Sequence, residues 1–180
     1  MLGLIKRKLF KIIFWLFVLI ALPFSVLMFV GSQRYVYHAE VKINSTADNI
    51  FPYLYASEKV TVWQTSLKSV SLRDNEFNQP GHTATLILDG GEKDHRIPIT
   101  IEAILPSTHL RTSSESKVFK TQTTWDLKAV GDHSIVRQEV ICFYSGVGRL
   151  MAPFLTDDAE NQLQADLNQL RETVETEAVK

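Results

Sequence analysis

Hydrophobic and polar positions divide this chain into stretches of different period. From Ile12 to Gly31, IIFWLFVLIALPFSVLMFVG, the run is apolar all round, with no polar stripe. No charge falls between Lys11 and Arg34, an interval of 22 residues. As a helix rising about 1.5 Å per residue it spans roughly 33 Å, enough to cross a hydrocarbon core of about 30 Å. A surface helix of a water-exposed domain would show a polar face, and Pro23 and Ser25 are tolerated inside membrane helices. The pattern predicts a basic N-terminal segment (residues 1–11), a transmembrane signal-anchor helix (12–33) and one folded domain (34–180). A cleaved signal peptide is the rival reading. Its apolar core would be shorter, about 7–15 residues, and would end at small residues; the one candidate site here has Val30 and Ser32. A buried core helix is the third reading.

After the anchor the period falls to two. YVYHAEVKI (Tyr35 to Ile43) alternates as a strand, with Val41 and Ile43 entering the fold. STADNIFPYLY follows with helical spacing of Ile50, Phe51 and Leu54; Ser45 and Asp48 stand at capping-box distance, and Pro52 must sit in the first turns. A second short helix is predicted at SEKVTVW with Ser57 as its cap. Six strands come next: LKSVSLRD, HTATLILDG, HRIPITIEAIL, HLRTSSES, KVFKTQTTWDLKAV and HSIVRQEVICFYS. Turn residues separate them at Pro80-Gly81, Asp89-Gly90-Gly91, Pro106-Ser107 and Gly131-Asp132. Links this short imply an antiparallel meander.

The last two strands show two faces. Phe119, Thr121, Thr123, Trp125 and Leu127 oppose Lys120, Gln122, Thr124 and Asp126. In the final strand Val136, Gln138, Val140 and Cys142 oppose Arg137 and Glu139. One face is wet and the other covered. The cover is a C-terminal helix on which Leu163, Leu167, Leu170 and Val174 recur at steps of four, three and four; a coiled-coil seam is the alternative use of that stripe. Pro153 kinks this segment or starts its main helix.

Charge adds direction. Lys6, Arg7, Lys8 and Lys11 precede the apolar run and only Arg34 follows it closely, so the N-terminus is expected in the cytoplasm and the domain outside it, in a periplasm, lumen or cell exterior. The remainder holds 15 basic against 20 acidic residues. That balance shows no basic stripe for nucleic acid and argues against a domain lying flat on anionic lipid. Cys142 is the only cysteine, which excludes an internal disulfide and a C-x-x-C site; it reads as a small buried hydrophobe.

The phrase VKINSTADNIFPYLYASEKVTVW, with Ile50-Phe51, Leu54 and Trp63, and the closing LNQLRETVE resemble the START-like, or SRPBCC, superfamily, and within it the polyketide cyclase/dehydrase-like sequences. The resemblance covers roughly Tyr35 to Glu175. It implies an α+β helix-grip fold, in which a curved antiparallel sheet wraps a long C-terminal helix and leaves an apolar cavity. Members of that superfamily bind lipids, sterols, polyketides or other hydrophobic ligands; a minority are enzymes or regulatory receptors.

Candidate chemistry is sparse. His38, His82, His95, His109 and His133 show no metal spacing, and DGGEKDH lacks the alternating oxygen ligands of a calcium loop. There is no G-x-S-x-G elbow, P-loop or dinucleotide fingerprint, and no cofactor is implied. Asp157-Asp158 suits a helix start. Thr121, Thr123 and Gln138 interrupt the covered face, and buried polar groups need partners. They mark either a cavity with hydrogen-bonding groups or a sheet edge that reaches solvent. The expected ligand site has Phe119, Thr121, Thr123, Trp125, Val136, Gln138 and Val140 on one wall and Leu163 and Leu167 on the other. The expected function is a membrane-anchored binder of a hydrophobic small molecule or lipid. The alternatives are a polyketide cyclase/dehydrase-like enzyme on an apolar substrate and a scaffold that binds no ligand. Oligomeric state is not legible.

Overall fold

The alternating stretches pair into one sheet, and the stretches of helical period lie at its two ends and on its inner face. The computed structural model describes residues 2–73, 76–91 and 93–178. Helix α1 (Leu2–Val30) leads, and among its residues Phe10–Val30 form a run long and apolar enough to cross a membrane, with none of it buried in the protein. Strand β1 (Arg34–Ile43) follows after a three-residue link. Helix α2 (Ala47–Ile50), a 3₁₀ turn (Phe51–Leu54) and helix α3 (Ser57–Trp63) come next. Then six strands run in sequence: β2 (Leu67–Leu72), β3 (Thr83–Leu88), β4 (His95–Leu105), β5 (His109–Glu115), β6 (Phe119–Val130) and β7 (His133–Tyr144). Helix α4 (Gly148–Met151) and a second 3₁₀ turn (Ala152–Phe154) lead into α5 (Thr156–Glu177).

The sheet order is β1-β7-β6-β5-β4-β3-β2, antiparallel throughout. Register shifts between Leu67 and Ser69 and between Ile101 and Ala103 bend it. Gly131, at φ +63°, closes the short β6–β7 hairpin. Helix α5 lies in the concave face and ties down both edges. Gln164 Nε2 donates to the Glu40 carbonyl of β1 at 3.2 Å, the Asn44 N–H donates to Glu175 at 2.8 Å, and Thr65 beside β2 donates to Asp166 at 3.0 Å. The predicted stripe is the packed one: Leu167 and Leu170 are fully buried and Val174 nearly so, against Val41, Ile43, Ile50 and Val136. This is an α+β helix-grip architecture.

Local chemistry differs from the sequence reading at the helix starts. No capping box forms at Ser45, because the N-cap is Thr46 and the Asp48 carboxylate accepts from Ser107 instead. Ala56 rather than Ser57 precedes α3, and Ser57 turns its hydroxyl to Glu58. Pro52 converts the helix to a 3₁₀ turn, and Pro153 does the same between α4 and α5. Cys142 is buried, and burial raises its thiol pKa. Of the histidines read as solvated, His95 is exposed, whereas His82 and His133 are half-buried, and the Nδ1 of His82 has no hydrogen-bond partner.

At the end of the sheet away from α1, the Trp63 indole donates to the Tyr53 carbonyl at 2.8 Å, and the Tyr53 hydroxyl donates to Glu177 near the end of α5. Lys59 stands 4.3 Å above the Tyr53 ring. Burial, and then the Glu177 carboxylate, push the Tyr53 phenol up to about 12. The folded state thus holds this proton more tightly than the unfolded chain, where the phenol titrates at about 10. Its contribution to stability is complete below pH 10 and is lost as pH rises through 12. Thermal melts across this range should show alkaline destabilisation, reduced in Tyr53→Phe. Equal alkaline slopes in the two proteins would contradict the assignment.

Candidate functional site

The inner face of β5 and β6 is filled by small polar side chains. Thr112 pairs with Thr123, and Ser114 with Thr121; the Ser114 and Thr121 hydroxyls are 2.8 Å apart. Beside them on β7 lies Gln138, opposite Trp125. Short side chains in the middle of a curved sheet leave volume that larger ones would fill. A cavity of about 210 Å³ occupies that volume. β6 and β7 are interior strands, so the threonines are not at a sheet edge.

Five of the nine predicted residues line this cavity: Phe119, Thr121, Thr123, Trp125 and Gln138. The other four do not. Val136 and Leu167 are fully buried in solid core, Leu163 packs half-buried against that core, and Val140 lies half-buried outside the wall. The reason is the seat of α5. It presses on β1, so its leucines are used up in packing and none faces the open volume. The opposite wall comes from the 3₁₀ turn and α3 through Leu54, Tyr55, Val60 and Gln64. The outer strands add Val70, Leu86, Ile97 and Ile99, and the β2–β3 link adds Phe77.

The floor is rigid. Trp125 is 4% exposed and meets Trp63 edge to face, with ring centroids 5.8 Å apart. The polar feature is sharper. Gln138 is 5% exposed, and its Oε1 is buried with no hydrogen-bond partner in the protein. Among the described residues of the cavity wall the only ionisable side chain is that of Tyr55. Among the described residues no group of three or more His, Cys, Asp or Glu side chains could hold a metal ion.

No protein-family model and no curated protein matches the sequence. Solved structures do match. A START superfamily protein from Mycobacterium smegmatis superposes with TM-score 0.63 at 13% identity, over 78% of this chain and 97% of the other. The Zhui aromatase/cyclase from Streptomyces sp. R1128 gives TM-score 0.67 at 11% identity, over 79% and 94%. Ara h 8.0201 gives 0.64 at 15%, over 80% and 99%. The fold is the START-like helix-grip. At these identities the likeness is one of architecture, and the chemistry of this domain must be read from its own cavity wall.

Proposed function

We propose that this START-like domain binds a compact apolar molecule carrying at least one hydrogen-bond donor, and that α1 holds it at a membrane. The observation that carries the reading is the unpaired Gln138 Oε1 at the wall of a largely apolar cavity. A buried acceptor without a partner costs roughly 1–3 kcal/mol, and a ligand hydroxyl or amine removes that cost. The hydroxyls of Thr112, Ser114, Thr121 and Thr123 offer further polar contacts nearby. Size narrows the class. At about 210 Å³ the cavity is smaller than the roughly 300–1,000 Å³ of pockets for drug-sized ligands. A small ring system or a length of acyl chain suits it better than a whole multi-ring polyketide. Binding is favoured over catalysis because, among the described residues, the wall offers no carboxylate, imidazole, amine or thiol to move a proton.

The protein purified with its native lipids should release a defined apolar molecule on denaturation, in near-stoichiometric amount, detected by mass spectrometry. Release of bulk membrane lipid alone, in the proportions of the host membrane, would overturn the reading.

The anchor reading is part of the proposal: residues 1–11 in the cytoplasm, the span at 12–33, and the domain from 34 onward outside. It is supported by the apolar run Phe10–Val30 and by the lysines and arginine ahead of it. A reporter active only outside the cytoplasm, fused after Lys180, should be active. Activity of a cytoplasm-only reporter at that position would reverse the orientation, and loss of about three kilodaltons on export would make the run a cleaved signal.

A further inference from the structure

We infer that the segment from Val147 to Leu155 is a membrane-docking surface that rests in the headgroup region of the bilayer crossed by α1. The inference depends on α1 spanning, and it holds for either orientation.

The first observation is a rigid joint. Gly31, just past the end of α1, is buried against the backbone of α4; a Cβ there would lie 1.8 Å from the Arg149 carbonyl oxygen. Gly148 is also tight against the β5–β6 turn, where a Cβ would meet the Val118 carbonyl oxygen at 2.4 Å. The end of α1 is tied off by nearby side chains. Ser32 Oγ donates to the Phe29 carbonyl at 2.7 Å, and the Tyr35 hydroxyl donates to that of Val30 at 3.2 Å. Tyr35 in turn packs edge to face with Tyr144, whose carbonyl accepts from Arg149 at 3.3 Å. Where α1 leaves the hydrocarbon, α4 therefore has to lie.

The second observation is what this end of the domain exposes. Val147, Met151 and Phe154 are 70%, 55% and 66% exposed, unlike the apolar residues of the core. No acidic residue occurs between Glu139 and Asp157. The cations Arg34, Lys117, Lys120 and Arg149 belong to this end of the domain; of the carboxylates, Glu115 lies 3.6 Å from Lys120, and Glu102 also feels the Lys120 charge. A domain with an acidic excess thus turns a basic, apolar rim toward its anchor. Apolar tips, tyrosines and cations together match the chemistry of an anionic bilayer surface.

The cavity reaches toward the same end of the domain. Phe119 pairs with Tyr144 at the anchor end of the sheet, and the cavity runs from there inward to Trp125 and Gln138.

The test uses the full chain in vesicles of phosphatidylcholine and phosphatidylglycerol, with single spin labels on cysteines placed by Leu19→Cys, Met151→Cys, Phe154→Cys and Leu105→Cys. The native Cys142 is 4% exposed and stays unlabelled. Collisions with oxygen, which concentrates in lipid, are compared with collisions with a water-soluble nickel complex. The expected result is oxygen-dominated relaxation at 19, 151 and 154, and nickel-dominated relaxation at 105, which is 60% exposed at the far end. A lipid-like signal at 19 with water-like signals at 151 and 154 overturns the docking surface and leaves the span standing. A water-like signal at 19 overturns the span and the docking with it.

Discussion

Leu167→Asp abolishes cooperative folding of the domain. Leu167 is fully buried, one turn from Leu163 and three residues from Leu170 on the face that α5 turns to β1. The substitution removes the packing of a leucine, worth about 2–5 kcal/mol, and leaves a carboxylate with no partner in low-dielectric surroundings. Together these approach the roughly 5–15 kcal/mol total stability of an ordinary domain. Leu163→Asp is the matched control. Leu163 is only half-buried, and its carboxylate can reach water, so the melt shifts but stays cooperative. Denaturant titration followed by near-ultraviolet circular dichroism separates the two. An unchanged midpoint in Leu167→Asp would mean that α5 does not grip the sheet.

Gln138→Met moves stability and affinity in opposite directions. It replaces an amide whose Oε1 is buried and unpaired with an apolar side chain of similar length. The ligand-free protein therefore melts at the same temperature or higher. A ligand that donates to Oε1 loses that bond, a net change of about 1 kcal/mol, or roughly fivefold in affinity. Isothermal titration with a medium-chain alcohol and with its methyl ether exposes the effect. The native protein prefers the alcohol, and the variant loses the preference. A variant that melts lower and still discriminates would make Gln138 a structural residue with the ligand elsewhere.

The architecture was open to reading because each element carries its period in plain form. Leu163, Leu167, Leu170 and Val174 needed only one partner surface, and β1, with Val41 and Ile43, supplied most of it in place of the expected β6 and β7. The cavity was half legible. Thr121, Thr123 and Gln138 stood out as polar residues on a covered face. The same alternation on β5 places Thr112 and Ser114 beside them, opposite Arg111 and Ser113, and on β4 it places Ile97 and Ile99. Phe77, in a link without periodicity, and the facing wall from the 3₁₀ turn and α3 depend on tertiary placement, which no local pattern encodes. Leu167 sits in solid core rather than in the wall of this cavity for a related reason. A helical stripe shows which face is buried, but not whether that face meets solid core or open volume. Short-range hydrogen bonding also escaped the pattern: Asp48 had Ser107 within reach, 59 residues away in sequence, and bonded there instead of closing its own helix turn.

Only Gly31, Ser32 and Gln33 separate α1 from β1. Fully extended, three residues reach about 10 Å, and here their freedom is removed by the contact at Gly31. If α1 is anchored, the domain cannot swing across an aqueous gap to a facing membrane, as a carrier on a long tether can. Its search for ligand is confined to lateral diffusion within a single leaflet. Loading then varies with the surface density of the ligand in that leaflet rather than with its concentration in the surrounding fluid.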